Sequence, residues 1–241
     1  MPEPHIKRAP TADALNHEVA TWLIDQIAAK QGNFSISLSG GHTPQHLYEL
    51  LATEPYASRI PWDRTHFFFG DERFVPHDDA DSNYRMVRQA LFDHVPIPQQ
   101  NIYPVPFGPA ITEAAADYER TLRAYFGNEP AGPAHKLFDL AFMGLGEDGH
   151  TASLMPGSVA LQEQHAWVVP VTDSDKPQPR ITLTYPVFAA SETVAFLVEG
   201  AAKASILNAV LGGDHRYPSS RVTARKNLIW FTDEAAWHVP G

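Results

Sequence analysis

Three apolar runs in this chain break off at glycine and pass at once into polar loops, and this pattern constrains the fold more than any other feature. Phe34–Leu38 leads into Ser39-Gly40-Gly41-His42-Thr43-Pro44, residues 66–69 lead into Gly70-Asp71-Glu72-Arg73, and residues 137–143 lead into Gly144-Leu145-Gly146-Glu147-Asp148-Gly149-His150. A short, mainly apolar run bounded by turn residues reads as a buried strand. Helix-period segments fall between such runs: Leu15, Val19, Trp22, Leu23 and Ile27 share a face, and 44–52, 82–93 and 201–211 are further predicted helices. Thr193–Val198 and 227–231 are the remaining predicted strands. Strands separated by helices require crossover connections, so the expected class is α/β, with a mostly parallel sheet and helices on both faces. In such sheets ligands gather beyond the carboxyl ends of the strands, where these three loops lie.

A chain of 241 residues with 44% apolar content can bury a full core, and one domain over 1–241 is the expected partition. The proline-rich segments 96–109 and 170–180 read as ordered surface connections. With no cysteine, disulfides, thiolate catalysis and cysteine-based metal sites are excluded, and a reducing compartment fits. No charged start precedes an apolar core, and no apolar run approaches the ~18 residues of a membrane span, so a cytoplasmic protein without membrane contact is expected. Eighteen Lys and Arg against 28 Asp and Glu give a net charge of −10, which argues against nucleic acid as partner. An anionic small molecule would need a local cationic pocket.

Each loop carries a structural and a chemical reading. In the first, Gly40 and Gly41 allow close backbone approach, and the following helix, with Thr43 as its expected cap and Pro44 in its first turn, offers amides to a phosphate. The same residues also make a sensible turn and cap, and the Lys-Ser/Thr ending of a P-loop is missing. In the second, Asp71 can orient a sugar hydroxyl or take a proton and Arg73 can fork onto an anion, or all three charges form a solvated turn. Ser82 and Asn83 either cap the next helix or meet the ligand, capping being favoured. In the third, Gly144 to Gly149 satisfies G-x-G-x-x-G with Asp173 near the ribose-acid distance, but Glu147 and Asp148 would face a pyrophosphate with negative charge. His150, before an expected short helix cut off at Pro156-Gly157, suits proton transfer, with a neighbouring carboxylate to fix its tautomer.

Together the loops resemble the 6-phosphogluconolactonases in order and spacing. The resemblance extends through Ser82-Asn83-Tyr84, Thr151-Ala152-Ser153-Leu154, Arg180-Ile181-Thr182-Leu183-Thr184, Gly200-Ala201-Ala202-Lys203 and Trp230-Phe231-Thr232-Asp233-Glu234-Ala235-Ala236, nearly the whole chain. It implies a single Rossmann-like domain of the glucosamine-6-phosphate deaminase-like type. It further implies hydrolysis of 6-phospho-D-glucono-1,5-lactone to 6-phosphogluconate in the oxidative pentose phosphate pathway. It places Arg180 and Lys203 at the substrate phosphate with the amides of Gly40, Gly41, His42 and Thr43. His42 departs from the serine frequent in the family. The related deaminases carry a glutamate five residues after the matching histidine, where this chain has Met155, and a tyrosine where it has Arg73.

A cyclic ester is already reactive, so a positioned water, a base and charge stabilisation at the carbonyl suffice. No Gly-x-Ser-x-Gly elbow and no His-Glu-x-x-His motif occurs. The expected catalytic residues are therefore His150 as base, Asp148 holding it, and Arg73 facing the oxyanion or phosphate, with Asp71 on the substrate. No cofactor or metal is expected, although Asp71, Glu72 and His77 could take a cation adventitiously. The expected partner is a sugar-phosphate lactone and the expected state a monomer. A sugar-phosphate isomerase or deaminase is the alternative enzyme, disfavoured by Met155. A non-catalytic sugar-phosphate sensor is the other alternative, and it would need a DNA-reading module for which this acidic chain has neither room nor charge.

Overall fold

The computed structural model describes residues 3–132 and 134–237. The chain opens with strand β1 (Pro4–Ala9) and helix α1 (Ala12–Ala29), whose cap Thr11 accepts the Ala14 amide at 3.1 Å. Strand β2 (Phe34–Leu38) is buried at every position, Ser35 and Ser37 included, and leads into α2 (His42–Leu51). Then come β3 (Thr65–Phe69), β4 (Asp71–Arg73), α3 (Asn83–Ala90), α4 (Ile111–Phe126) and β5 (Leu140–Met143). The remainder comprises β6 (Val168–Val171), β7 (Arg180–Leu183), α5 (Tyr185–Ala189), β8 (Thr193–Val198), α6 (Ala204–Leu211) and β9 (Asn227–Asp233).

Six strands pair in the order β1-β9-β8-β5-β2-β3, all parallel. The chain leaves β2 toward β3 on one side, while β5, β8 and β9 build out on the other. Adjacent β2 and β5 therefore flank the point where strand order reverses, and a crevice opens beyond their carboxyl ends. Three antiparallel strands, β4-β7-β6, form a second, smaller sheet. Gly70 passes the chain between the two sheets: its N–H donates to Leu38 O at 2.8 Å and its carbonyl accepts the Leu183 amide at 2.9 Å. A Cβ there would come within 3.3 Å of Leu38 O and Ser37 Oγ, so the crossing is too tight for a side chain to enter freely.

Several expectations are corrected at this level. Gly41, at φ 100°, caps α2, and Thr43 lies inside the first turn. No helix follows His150: Thr151 and Leu154 bridge a tight turn, and the next helical turn is Val159–Gln162. The strand expected from residue 137 starts at Leu140, and the helix expected over 82–93 breaks at Leu91, where φ is −134°. Strand residues Pro170, Val171 and Arg180 bound the second proline-rich connection. Strand β1, helix α4 and the small sheet carry no expectation above. Helix α4 does show a four-residue step of buried positions, Ala114, Tyr118 and Leu122. Its Tyr118 hydroxyl accepts the Phe69 amide at 2.7 Å, tying the helix to the end of β3.

Candidate active site

The loop after β2 is built to bring backbone close to something. The Tyr48 hydroxyl accepts the Ser39 amide at 3.1 Å and donates to Ser39 O at 3.0 Å, fixing the loop's entry. A Cβ on Gly40 would stand 2.0 Å from Asn83 Oδ1, so only glycine fits beneath that side chain. Gly41 then turns the chain so that α2 points its first amides, those of His42 and Thr43, into the crevice.

On the small sheet, register places Arg73 directly opposite Arg180. Like charges facing across a strand pair are unfavourable, and here carboxylates and carbonyls offset the repulsion. Arg73 Nη1 donates to Asp81 O at 2.6 Å, and Arg180 Nη1 lies 3.9 Å from Asp71 Oδ2. Burial pulls the Arg180 guanidinium below its ordinary value, with Asp71 opposing the pull. Among the described residues, the buried Nε atoms of both arginines have no hydrogen-bond partner. Asp71 is itself held, accepting Ser153 Oγ at 2.6 Å and Asn83 Nδ2 at 3.4 Å. Ser82 proves to be the α3 cap, its Oγ accepting the Arg85 amide at 3.1 Å. Asn83 faces the cavity instead, donating to Asp71 O at 3.0 Å.

Glu72 points away from the crevice and staples α3 to β4. Its carboxylate accepts the amides of Arg73, Asn83 and Tyr84 at 2.7 to 2.8 Å and Ser82 Oγ at 3.2 Å. Burial nevertheless pushes its carboxyl up to about 7, and neighbouring Asp71 adds to the rise. His77 Nε2 is hydrogen-bonded to Val105 O at 2.7 Å. The Asp71, Glu72 and His77 set considered for a cation is therefore spent on protein contacts, and among the described residues no cluster of His, Asp and Glu forms a metal site.

The loop after β5 closes on itself: the Gly146 amide donates to His150 O at 2.9 Å, the Gly149 amide to Gly146 O at 3.0 Å, and Thr151 Oγ1 to Gly144 O at 2.8 Å. Gly149, at φ 77°, lies against the Tyr217 ring, where a Cβ would approach to 2.5 Å. This closure aims the imidazole: His150 Nδ1 is hydrogen-bonded to Asp148 Oδ1, which also accepts the His150 amide at 3.1 Å. The hydrogen bond from His150 holds the Asp148 carboxyl well below the usual carboxylate range. Lys176 Nζ approaches the other Asp148 oxygen at 3.5 Å. With Nδ1 committed to Asp148, Nε2 is the nitrogen left for chemistry.

One cavity of about 700 Å³ collects these loops. The predicted catalytic residues His150, Asp148 and Arg73 line it, as do the predicted binding residues Gly40, Gly41, His42, Thr43, Asp71, Arg180 and Lys203. Lys203 ends a short helical turn after β8, anchored by Asp233 at the tip of β9, whose carboxylate accepts the Gly200 amide at 3.0 and 3.1 Å. Sequence reading missed Glu199, Asp175 and Lys176, which line the cavity too. Glu199 adjoins the Gly200-to-Lys203 motif and could have been flagged by that; Asp175 and Lys176 lie in the β6–β7 connection, where no spacing marks them. Asp173 serves elsewhere, accepting Ser158 Oγ at 2.9 Å and the Val159 amide at 2.8 Å. Met155 is buried and packs in the interior.

Comparison with known proteins agrees with this geometry. Residues 8–230 match the family described as glucosamine-6-phosphate isomerases/6-phosphogluconolactonase. A 6-phosphogluconolactonase from Nostoc sp. is 42% identical over 219 residues, covering 88% of this chain and 87% of that one. One from Mycobacterium leprae is 38% identical over 239 residues, covering 95% and 94%. The crystal structure of a Thermotoga maritima 6-phosphogluconolactonase superposes with TM-score 0.80 at 31% identity, over 97% of this chain and 100% of that one. A monomeric glucosamine-6-phosphate deaminase, 19% identical with TM-score 0.78, shares the fold. The chain belongs to the glucosamine-6-phosphate isomerase/6-phosphogluconolactonase family.

Proposed function

We propose that the chain is a lactone hydrolase of the 6-phosphogluconolactonase type, converting 6-phospho-D-glucono-1,5-lactone to 6-phosphogluconate. The observation that carries this reading is the convergence of the Asp148-bound imidazole of His150 with Arg73, Arg180 and Lys203 around one cavity. Within the family, the curated relatives at 37–42% identity that support it are 6-phosphogluconolactonases.

Nε2 of His150 takes a proton from water as the water oxygen bonds to the C1 carbonyl carbon. The tetrahedral oxyanion collapses, the bond from C1 to the ring oxygen breaks, and the imidazolium returns its proton to that oxygen. Asp148 keeps the proton on Nδ1 and stabilises the imidazolium. Lys203, Arg180 and the first amides of α2 hold the phosphate, Asp71 orients a ring hydroxyl, and Arg73 faces developing charge. Neither a covalent nucleophile nor a cofactor is assigned a step. The isomerase or deaminase alternative lacks an acid–base partner at Met155, whose buried thioether cannot move protons.

A coupled assay of phosphorylated lactone hydrolysis, with unphosphorylated gluconolactone as control, tests the reading. Turnover no faster than spontaneous hydrolysis, or ammonia release from glucosamine 6-phosphate, would discard it. His150→Ala should lower kcat by about 10²- to 10⁴-fold with little change in KM. The same reading takes 1–241 as one domain acting as a cytoplasmic monomer on a sugar phosphate, without nucleic acid or membrane. Among the described residues no helix is long and apolar enough to cross a bilayer. A solution mass of one chain checks the oligomeric part.

A further inference from the structure

The cavity is lined by four cationic and five carboxylate side chains, an unexpected balance for a site that takes a phosphate dianion. Three of the carboxylates are engaged. Asp71 accepts Ser153 Oγ at 2.6 Å, Asp148 holds His150 and Lys176, and Glu199 accepts Asn16 Nδ2 at 2.7 Å. Glu147 and Asp175 have no hydrogen bond or ion pair among the described residues. Asp175 lies on the β6–β7 connection, outside the loop that carries His150. Glu147 is different: it is exposed, adjoins Asp148, and shares the closed loop that aims His150. A carboxylate with no ion pair among the described residues therefore stands on the loop that carries His150.

Resting on the hydrolase reading above, we infer that Glu147 is a specificity-determining residue that discriminates against the product and speeds its release. The charge balance of the reaction gives the reason. The substrate's reacting end is a neutral ester. In the transition state the oxyanion is matched by the proton gained on His150, so the net charge at that end has not changed. Once the C1 carboxylic acid ionises and its proton leaves for solvent, the product carries one more negative charge there than the substrate did. Glu147 thus repels the product while leaving substrate and transition state nearly untouched. Two exposed unit charges about 4 Å apart in bulk water interact strongly enough for about a fivefold change in affinity, and less at greater separation.

Glu147→Gln keeps the size and shape of an exposed side chain, so folding is not at risk. Calorimetric titration should show 6-phosphogluconate binding the variant up to about fivefold more tightly than wild type, a gap that narrows in 0.5 M salt. Inorganic phosphate, lacking the carboxylate, should bind both equally, and KM for the lactone should stay within about twofold. Asp175→Asn is the control for a general charge effect and should leave product affinity unchanged. Equal product affinity in Glu147→Gln and wild type would overturn the inference. So would tightening of phosphate by the same factor, or an equal gain in Asp175→Asn. Wild-type protein that fails to hydrolyse the lactone above the spontaneous rate would instead remove the hydrolase reading, which the turnover arm reports separately.

Discussion

Gly146→Ala isolates the aim of the imidazole from its presence. A Cβ at this position would stand 2.1 Å from His150 Nδ1, 2.3 Å from Cε1 and 2.7 Å from Asp148 Oδ1, whereas ordinary contact begins at 3.4 Å. The ring must retreat by the 1.3 Å between 2.1 and 3.4 Å, which breaks its alignment on Asp148. The backbone of Gly146 is outside the left-handed region, so alanine brings no conformational strain of its own. Displacement of a catalytic group by about 1 Å can cost about 10²-fold, equivalent to about 2.7 kcal/mol in the barrier. The expected outcome is kcat lowered about 10²-fold, KM within about threefold, and an unchanged unfolding midpoint. Steady-state turnover of the phosphorylated lactone, corrected for spontaneous hydrolysis, measures it. A variant turning over within about threefold of wild type would show that placement of His150 against Asp148 is not what the rate depends on.

Two further perturbations probe other parts of the site. Gly40→Ala drives a Cβ into Asn83 and so disturbs the phosphate loop; KM should rise about tenfold with kcat little changed, the opposite split to Gly146→Ala, and steady-state kinetics separates the two. Glu72, with its carboxyl pushed from the ordinary 4.5 up to about 7, keeps its proton to higher pH in the folded state than in the unfolded chain. Its contribution is therefore full below pH 4.5 and is lost as pH rises through about 7, by up to about 3 kcal/mol. Relative to Glu72→Gln, wild-type stability should fall across that window in denaturant titrations, and a difference that stays flat with pH would contradict the burial argument.

Much of the site was legible in the chain because each functional loop directly follows a buried strand. Thr193–Val198 has no alternating polar face, so it must be covered on both sides, whereas Phe34–Leu38 alternates at Ser35 and Ser37 and its burial on both faces is decided by tertiary packing; glycine just beyond each strand marks where backbone turns into a crevice. Local chemistry likewise marked His150 beside Asp148, whereas Lys203 and Arg180 were marked only by the family resemblance. The helix at Ile111–Phe126 was harder to see, because half of its buried positions, Ala114 and Ala115, are alanine and it packs on β6 and the end of β3, which lie far from it in the chain.

What sequence alone determined was the α/β class and the set of strand-end loops, since both follow from local periodicity and turn chemistry. Tertiary structure decided which loops meet. The reversal of strand order between β2 and β5 brings Gly40 and His150 to one crevice, and the small sheet sets Arg73 opposite Arg180. Asn83 finds its place against Gly40 only when α3 packs over the loop after β2, and Asp233 steadies the turn that carries Lys203 only because β9 lies beside β8. Strand order and antiparallel register are fixed by burial and hydrogen bonding between segments distant in the chain, and no local pattern encodes that competition.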